Sequence, residues 1–597
     1  MTKTIKIGCP SGFWGDSAIG AIQLTEKADL DYLMLDYLAE VTMSILVQAR
    51  AKDPSYGYAR DFITGAMNDT LEVIAAKGIK VVTNAGGVNP EACAKALEAL
   101  CAKKGLSLKI ATVTGDDVLP ILDKVPDSER REMFSGAQFP DTIVSANAYL
   151  GAAPVAAALA KGADIVLTGR CVDSALALGV LMHEFGWGPH DWDRLAAGSL
   201  IGHILECGAQ VTGGIHTDWD LVPDWANIGY PVAECHADGS FIITKPDGTG
   251  GLVTPGTVAE QMLYEIGDPA TYYLPDVTAD FSQVTLTQQG ENRVLVDGAR
   301  GRPATPSHKV SATWADGWRA ATNLTIIGPR AVEKAQRTAE AIIERSRILF
   351  KRRGLEDFTA VQIELLGSES IYGPHARSLD TRETVMRIAV THRSKEALAI
   401  FAAEVAPAGT NYAPGVTGYA GGRAKAQQVV RLFSMLVDKN RLPAPVVEID
   451  GERFAVPDQS ITNEAPGDPA PAPARVEEAI PTGESVTLPL YRLAYGRSGD
   501  KGDKANIAII ARAPRLVPLL RRELTAEKMK AYFGHLVQGD VERFEAPGSG
   551  GFNFLLDQAL GGGGIASLRN DAQGKSYAQM ALDMPVAVPA EWARDYA

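Results

Sequence analysis

The feature that most constrains this chain is an alternation in roughly its first 185 residues. Short apolar runs at 4–9, 31–36, 79–83, 107–113, 142–145 and 164–168 are separated by longer stretches, with amphipathic patterns at 61–76, 90–102 and 152–161. Apolar runs joined by helices of this length predict parallel strands with helical crossovers, because a parallel pair cannot be closed by a tight turn. The fold class expected is therefore α/β, with an N-terminal parallel-sheet βα region. The spacing leaves open whether the sheet is open or closed.

The residues just past these runs are polar and rich in glycine. The first run leads into Pro10-Ser11-Gly12-Phe13-Trp14-Gly15-Asp16-Ser17, the second into Asp36-Tyr37-Leu38-Ala39-Glu40, and the third into Asn84-Ala85-Gly86-Gly87. The fourth gives Thr114-Gly115-Asp116-Asp117 and the last gives Gly169-Arg170-Cys171-Val172-Asp173. Carboxyl ends of parallel strands lie on one side of the sheet, where ligands bind. Ser11, Gly12, Asp36, Glu40, Asn84, Gly86, Gly87, Arg170, Cys171 and Asp173 are thus candidate site residues.

Asp36 and Glu40, four residues apart, suit either metal binding or a base of raised pKa. Asp173 is a candidate acid/base or a helix cap. Arg170 is suited to a carboxylate or phosphate, and with Asn84 to a developing oxyanion. Gly86 and Gly87 would let backbone approach a ligand. Cys171, beside an arginine and ahead of a helix, is either a reactive thiolate or a small buried residue in a turn.

Further along, the pattern mixes. Strand-like runs at 241–244, 293–296 and 384–390 and helical stretches at 198–208 and 330–351 describe an α+β region. The organisation expected is an α/β parallel-sheet domain over 1–225, an α+β region over 226–463 that completes it, a Pro/Ala-rich linker over 464–485, and a small α+β domain over 486–597. That last domain opens with a strand at 486–495, followed by Gly496-Arg497-Ser498-Gly499-Asp500-Lys501-Gly502-Asp503-Lys504-Ala505-Asn506. Read as a loop, this string would cradle an anion through backbone N–H groups, with Arg497, Ser498, Lys501 and Lys504 as substrate-binding side chains. Gly-rich stretches at 548–553 and 561–564 either line the same pocket or allow close backbone packing.

Composition removes several classes. A net charge of −14 opposes a nucleic-acid partner. Six scattered cysteines without a C-x-x-C pair point to reduced thiols. An N-terminus that enters a strand at once, and the lack of an apolar run of ~18 residues, predict a cytoplasmic protein without a membrane span. His203 and Glu206 are one helical turn apart and Glu234-Cys235-His236 sets three ligand types together, but no H-x-H or H-E-x-x-H spacing marks a transition-metal site. A hard divalent cation such as Mg²⁺ on carboxylates stays open. No G-x-G-x-x-G follows the first strand and no Walker A pattern occurs, which disfavours nicotinamide and ATP chemistry.

The strings Ile7-Gly8-Cys9-Pro10-Ser11-Gly12-Phe13-Trp14-Gly15-Asp16, Asn84-Ala85-Gly86-Gly87 and Thr168-Gly169-Arg170-Cys171-Val172-Asp173 together resemble the acyclic terpene utilisation (AtuA-like) family. The segment around Arg497-Ser498-Gly499-Asp500-Lys501-Gly502-Asp503 resembles the ferredoxin-fold domain attached to that family. The resemblance implies a small C-terminal ferredoxin-like domain and a place in branched-chain or acyclic terpenoid acid catabolism, beside biotin-dependent acyl-CoA carboxylases. It implies an acyl-CoA substrate and lyase chemistry, either C–C cleavage of a 3-hydroxy-3-alkylglutaryl-CoA or a hydro-lyase reaction. The alternative it implies is a non-catalytic partner of an acyl-CoA carboxylase. A homo-oligomer is expected. The paired histidines that hold the divalent metal of familiar lyases for such substrates are not in this sequence.

Overall fold

The structure, a computed structural model, describes residues 3–418, 422–461, 465–471 and 478–596, apart from the side chains of Glu40 and Val41. Its central sheet contains five parallel strands: β1 (Thr4–Gly8), β2 (Tyr32–Leu35), β3 (Lys80–Thr83), β4 (Ile110–Thr114) and β6 (Ile165–Thr168). They run side by side in the order β1-β2-β3-β6-β4. The sheet is open. β2 and β6 are buried along their whole length, as expected where helices cover both faces. The crossovers carry ordinary helix signals. In Pro90–Lys104, Asn89 accepts from the Ala92 N–H, proline stands at the first position, and Gly105 ends the helix at φ 68°.

Antiparallel strands from later in the chain extend this sheet at both edges. Val232–His236, Phe241–Thr244, Arg293–Asp297 and Thr285–Gly290 add beside β1, and Val446–Ile449 and Glu452–Ala455 add beside β4. The 226–463 region therefore contributes strands to the first sheet. It also builds a second sheet on the long strand Ser307–Ile327, which pairs with Gln427–Asp438 and Glu383–His392.

One expected parallel strand is corrected. The run at 142–145 is strand only at its last residue, where β5 (Ser145–Ala148) begins, and β5 pairs antiparallel with the long strand of the second sheet. Its apolar residues suit any buried strand, and nothing local specifies which sheet it joins.

The small domain has its own core, from Leu490, Ile507 and Phe533 to Trp592. Its antiparallel sheet runs Ala494–Lys501, Lys504–Ala511, Gly551–Leu556, Val541–Ala546. From that sheet, Ala508, Ile510 and Ala546 are buried in the large domain's core. Parts of the 464–485 segment lie outside the described residues. No helix among the described residues is long and apolar enough to cross a membrane.

Candidate functional site

The turns after β1, β2, β3, β4 and β6 meet at one side of the sheet. Asp36, directly after β2, is buried, and its Oδ1 accepts from the Asn84 side chain (2.7 Å) and the Leu38 N–H (3.1 Å). Asn84, directly after β3, is fully buried, and its carbonyl oxygen accepts from the Tyr37 N–H at 2.8 Å. After β6, the buried Arg170 donates to Asp173 Oδ1 at 2.7 Å and to the Leu38 carbonyl at 2.8 Å, and lies over the Tyr149 ring. Its backbone N–H donates to Asp116 Oδ2, which also accepts from Asn147. Burial pushes Asp116 up to about 6.

A third carboxylate completes the group. Glu206 follows the helix Trp192–Leu205, and its Oε1 stands 3.1 Å from His203 Nδ1. Asp36, Asp173 and Glu206 each present an oxygen, and these oxygens lie within 4.8 Å of one another. In each carboxylate one oxygen is fixed by a neighbour: Asn84 for Asp36, Arg170 for Asp173, His203 for Glu206. The second oxygen of each accepts no hydrogen bond among the described residues. Burial, and then the charges of Asp173 and Glu206, push Asp36 well above the usual carboxylate range. Burial also raises Glu206, against the opposing charges of His203 and Lys501. Three converging carboxylates, each steered through one oxygen, suit a hard divalent cation or shared protons.

Lys501 comes from the small domain. Its Nζ lies 3.4 Å from Glu265, which also pairs with Lys575 at 2.9 Å. Two asparagines fix the domain here. Asn506 accepts from the Glu265 N–H and donates to the Leu263 carbonyl, while Asn553 donates to the carbonyls of Ile266 and Gly267. Between them they grip a loop in which Glu265 is left-handed at φ 57°. Below it, His203 Nε2 meets the Met262 carbonyl at 3.1 Å, tying this loop to the helix end that carries Glu206.

Several expected roles are corrected. Cys171 is buried and its thiol is pushed up to about 12, so it is a packed turn residue and not a thiolate at neutral pH. Asn84 and Arg170 are spent on orienting Asp36 and Asp173, although Arg170 is also engaged elsewhere. Gly86 serves packing, since a Cβ there would lie 2.5 Å from the Thr168 carbonyl oxygen. Gly87 is left-handed at φ 55° and packed against Leu46 and the Gly57 carbonyl. Ser11 is buried with its hydroxyl on the Asp36 carbonyl, and Gly12 packs on the backbone of Cys207. Glu40 begins the helix Glu40–Lys52, but its side chain lies outside the described residues.

The string 496–506 is not a loop. It forms two paired strands closed at Gly502-Asp503; the first lies at the sheet edge, where the Gly496 N–H donates to Thr217 Oγ1 of the large domain, so the string is part of a domain seam and not an anion-cradling loop. Arg497 is buried, bonded to Glu260 (2.7 Å) and Gln210 (2.8 Å) across the domain seam. Burial alone would raise Glu260, but Arg497 and His216 outweigh it and hold the carboxyl below its usual range. Ser498 bonds within the small domain to Gly574 and Ala578. Lys504 pairs with Asp557 and lies over Phe134. Of the four, Lys501 is the one whose charge acts on the trio, lowering Glu206 against its burial.

Two family models match the sequence that builds this geometry. The model described as acyclic terpene utilisation family protein AtuA covers residues 5–447. This chain belongs to the acyclic terpene utilisation family. The AtuA ferredoxin-like domain model covers residues 488–587, the small domain that supplies Lys501. No curated protein and no solved structure matches the chain.

Proposed function

We propose that this member of the family is an enzyme that processes an acyl-CoA, with C–C lyase or hydro-lyase chemistry at a β-hydroxy or α,β-unsaturated centre, in branched-chain or acyclic terpenoid acid catabolism. The observation that carries the reading is the convergence of Asp36, Asp173 and Glu206, each held through one oxygen, with Lys501 brought in by a second domain.

Such reactions need a base at the reacting proton and positive charge at an enolate-like oxygen. Asp36 is the candidate base or acid: burial raises it, and Asn84 fixes its direction. Asp173 and Glu206 are the companion carboxylates, oriented by Arg170 and His203. The trio can relieve its mutual repulsion by holding a proton on Asp36 or by holding a divalent cation such as Mg²⁺. A bound cation would supply Lewis-acid stabilisation to an oxygen of the substrate. Lys501, whose charge already acts on Glu206, would add positive charge to the site.

The test is incubation of the pure full-length chain with branched 3-hydroxyacyl-CoAs and 2-enoyl-CoAs, with Mg²⁺ or with EDTA, followed by mass spectrometry. A thioester product of lower mass, or one changed by a water, is expected, and Asp36→Asn should remove it. No mass change with any substrate under either condition, with the chain instead copurifying with an acyl-CoA carboxylase, would replace the enzyme reading by a docking role.

A further inference from the structure

A small antiparallel sheet of Arg300–Arg302, Thr278–Asp280 and Tyr272–Tyr273 lies against the helix Trp192–Leu205, whose C-terminal end carries Glu206. The contact is close. A Cβ on Gly301 would lie 1.9 Å from the Trp192 carbonyl oxygen, and the Gly301 N–H donates to Asp193 at 2.9 Å. The turn before Tyr272 is tied down too, because Arg302 donates to the Ala270 carbonyl (2.7 Å) and to Thr271 Oγ1 (3.1 Å). Tyr272 is thus held on a framework fixed to the helix that bears Glu206.

Its ring packs on the large domain's core, with its centre 6.0 Å from that of His203 and 5.9 Å from that of Phe281. His203 is the residue that steers Glu206. The phenol end reaches the carboxylate site, where the charges of Lys501, Glu206, Asp173 and Glu265 all act on it. The side chains there are within reach of water: Asp173 is 24% exposed, Glu206 14%, and Tyr272 is half-buried. The Tyr272 hydroxyl makes no hydrogen bond among the described residues and is not sealed from water. Other half-buried or buried phenols are engaged, Tyr264 by Lys575 and Tyr32 by Glu184. A phenol set this deep normally finds a partner, so a free one beside three carboxylates and a lysine is a donor aimed at a ligand.

We propose that Tyr272 is a catalytic residue of this centre, the proton donor to the β-oxygen of a 3-hydroxyacyl-CoA. The inference rests on the hydro-lyase form of the reading above. The step balances within the site. Asp36, as carboxylate, takes the α-proton, and the electron pair of that C–H bond becomes the second bond of the C=C. The β C–O bond breaks, its electron pair stays on oxygen, and the phenol proton joins that oxygen, which leaves as water. The proton on Asp36 and the phenolate on Tyr272 then recombine through solvent, so no further reactant is needed. A phenol suits this part because it is protonated at neutral pH, and burial raises it further. Lys501 acts in the opposite sense and favours the phenolate while it lasts.

The test is Tyr272→Phe in the full-length chain, assayed beside wild type with branched 3-hydroxyacyl-CoAs, beginning with 3-hydroxy-3-methylbutanoyl-CoA. Phenylalanine keeps the ring on His203 and Phe281, so the melting temperature should match wild type. Turnover for water loss should fall about 10²-fold or more, with KM changed by less than about threefold. If wild type eliminates water and Tyr272→Phe does so within about threefold, the assignment of Tyr272 is overturned while the enzyme reading stands. A rise in KM alone makes Tyr272 a binding group and overturns its part as acid. Loss of turnover together with thermal stability makes it structural and overturns it equally. If wild type eliminates water from none of these thioesters, the hydro-lyase reading and this inference fall together.

Discussion

The two halves of the candidate site were built by opposite uses of the same residue types. On the large domain, glycine, aspartate and asparagine after β2, β3 and β6 make short turns that aim side chains into a common space. On the small domain, glycine and charge between 496 and 506 make a strand pair whose side chains are mostly fasteners. Gly499 shows why. A Cβ there would lie 2.6 Å from Glu265 Cγ and from the Tyr264 ring, so the glycine permits two domains to touch. A glycine-rich string is therefore ambiguous between a flexible loop and a close-packed seam, whereas a polar residue just past a parallel strand has a direction fixed by topology.

The largest effect expected from this contrast is on the large-domain side. Asp36→Asn should lower turnover by about 10²–10⁴-fold, the usual range for loss of a general acid or base. Its thermal stability should stay close to wild type or rise, because burial and the neighbouring carboxylates already disfavour a charge on Asp36 and the amide carries none. Steady-state kinetics with a melting curve on the same sample checks both. A fall in activity matched by unfolding would reduce Asp36 to a structural residue.

The next effect belongs to the seam. Arg497→Met leaves Glu260 buried with only His216 and Thr217, and should cost about 3–5 kcal/mol in denaturant unfolding. If Arg497 instead served a ligand, stability would be untouched and binding would suffer.

A pH experiment sharpens the large-domain half. The Asp116 carboxyl is raised to about 6 in the folded chain from 3.8. Between these values the native state binds more protons than the unfolded one, so this group lowers stability as pH rises from about 4 to 6, and the loss then stays constant. The loss at pH 8 is about 3 kcal/mol at most. Asp116→Asn keeps an acceptor for Asn147 and Arg170, and should remove that share of the slope. Asp276, also raised to about 6, adds a similar slope, so the difference between wild type and variant is the quantity to read. Equal pH profiles would contradict a buried, ionising Asp116.

The smallest effect is Gly499→Ala, which should destabilise by about 1–3 kcal/mol through overpacking at the seam. A neutral result in chemical denaturation would mean that the domains separate easily.

Much of the fold could be read from residue order because parallel strands announce themselves as apolar runs with helical spacers. Five of those runs joined one sheet, and Asp36, Asn84, Arg170 and Asp173 came together as that topology requires. β5 escaped because Ser-Ala-Asn-Ala is equally at home in either sheet. Glu206 is not at a strand end. Its signal was the one-turn spacing from His203, which reads as a weak metal pattern until the helix is placed. Lys501 was visible as a charge, but only domain docking through Asn506 and Asn553 tells it apart from Lys504. Tertiary contacts of that kind leave no local pattern to read.

The central claim is that Asp36, Asp173 and Glu206 form one cation-competent centre. Manganese titration of the full-length chain, followed by electron paramagnetic resonance, tests it without knowledge of the substrate. The account predicts saturable binding at a single site in wild type, weakened by about tenfold or more in both Asp36→Asn and Glu206→Gln. No saturable binding, or binding that survives both substitutions unchanged, would contradict it.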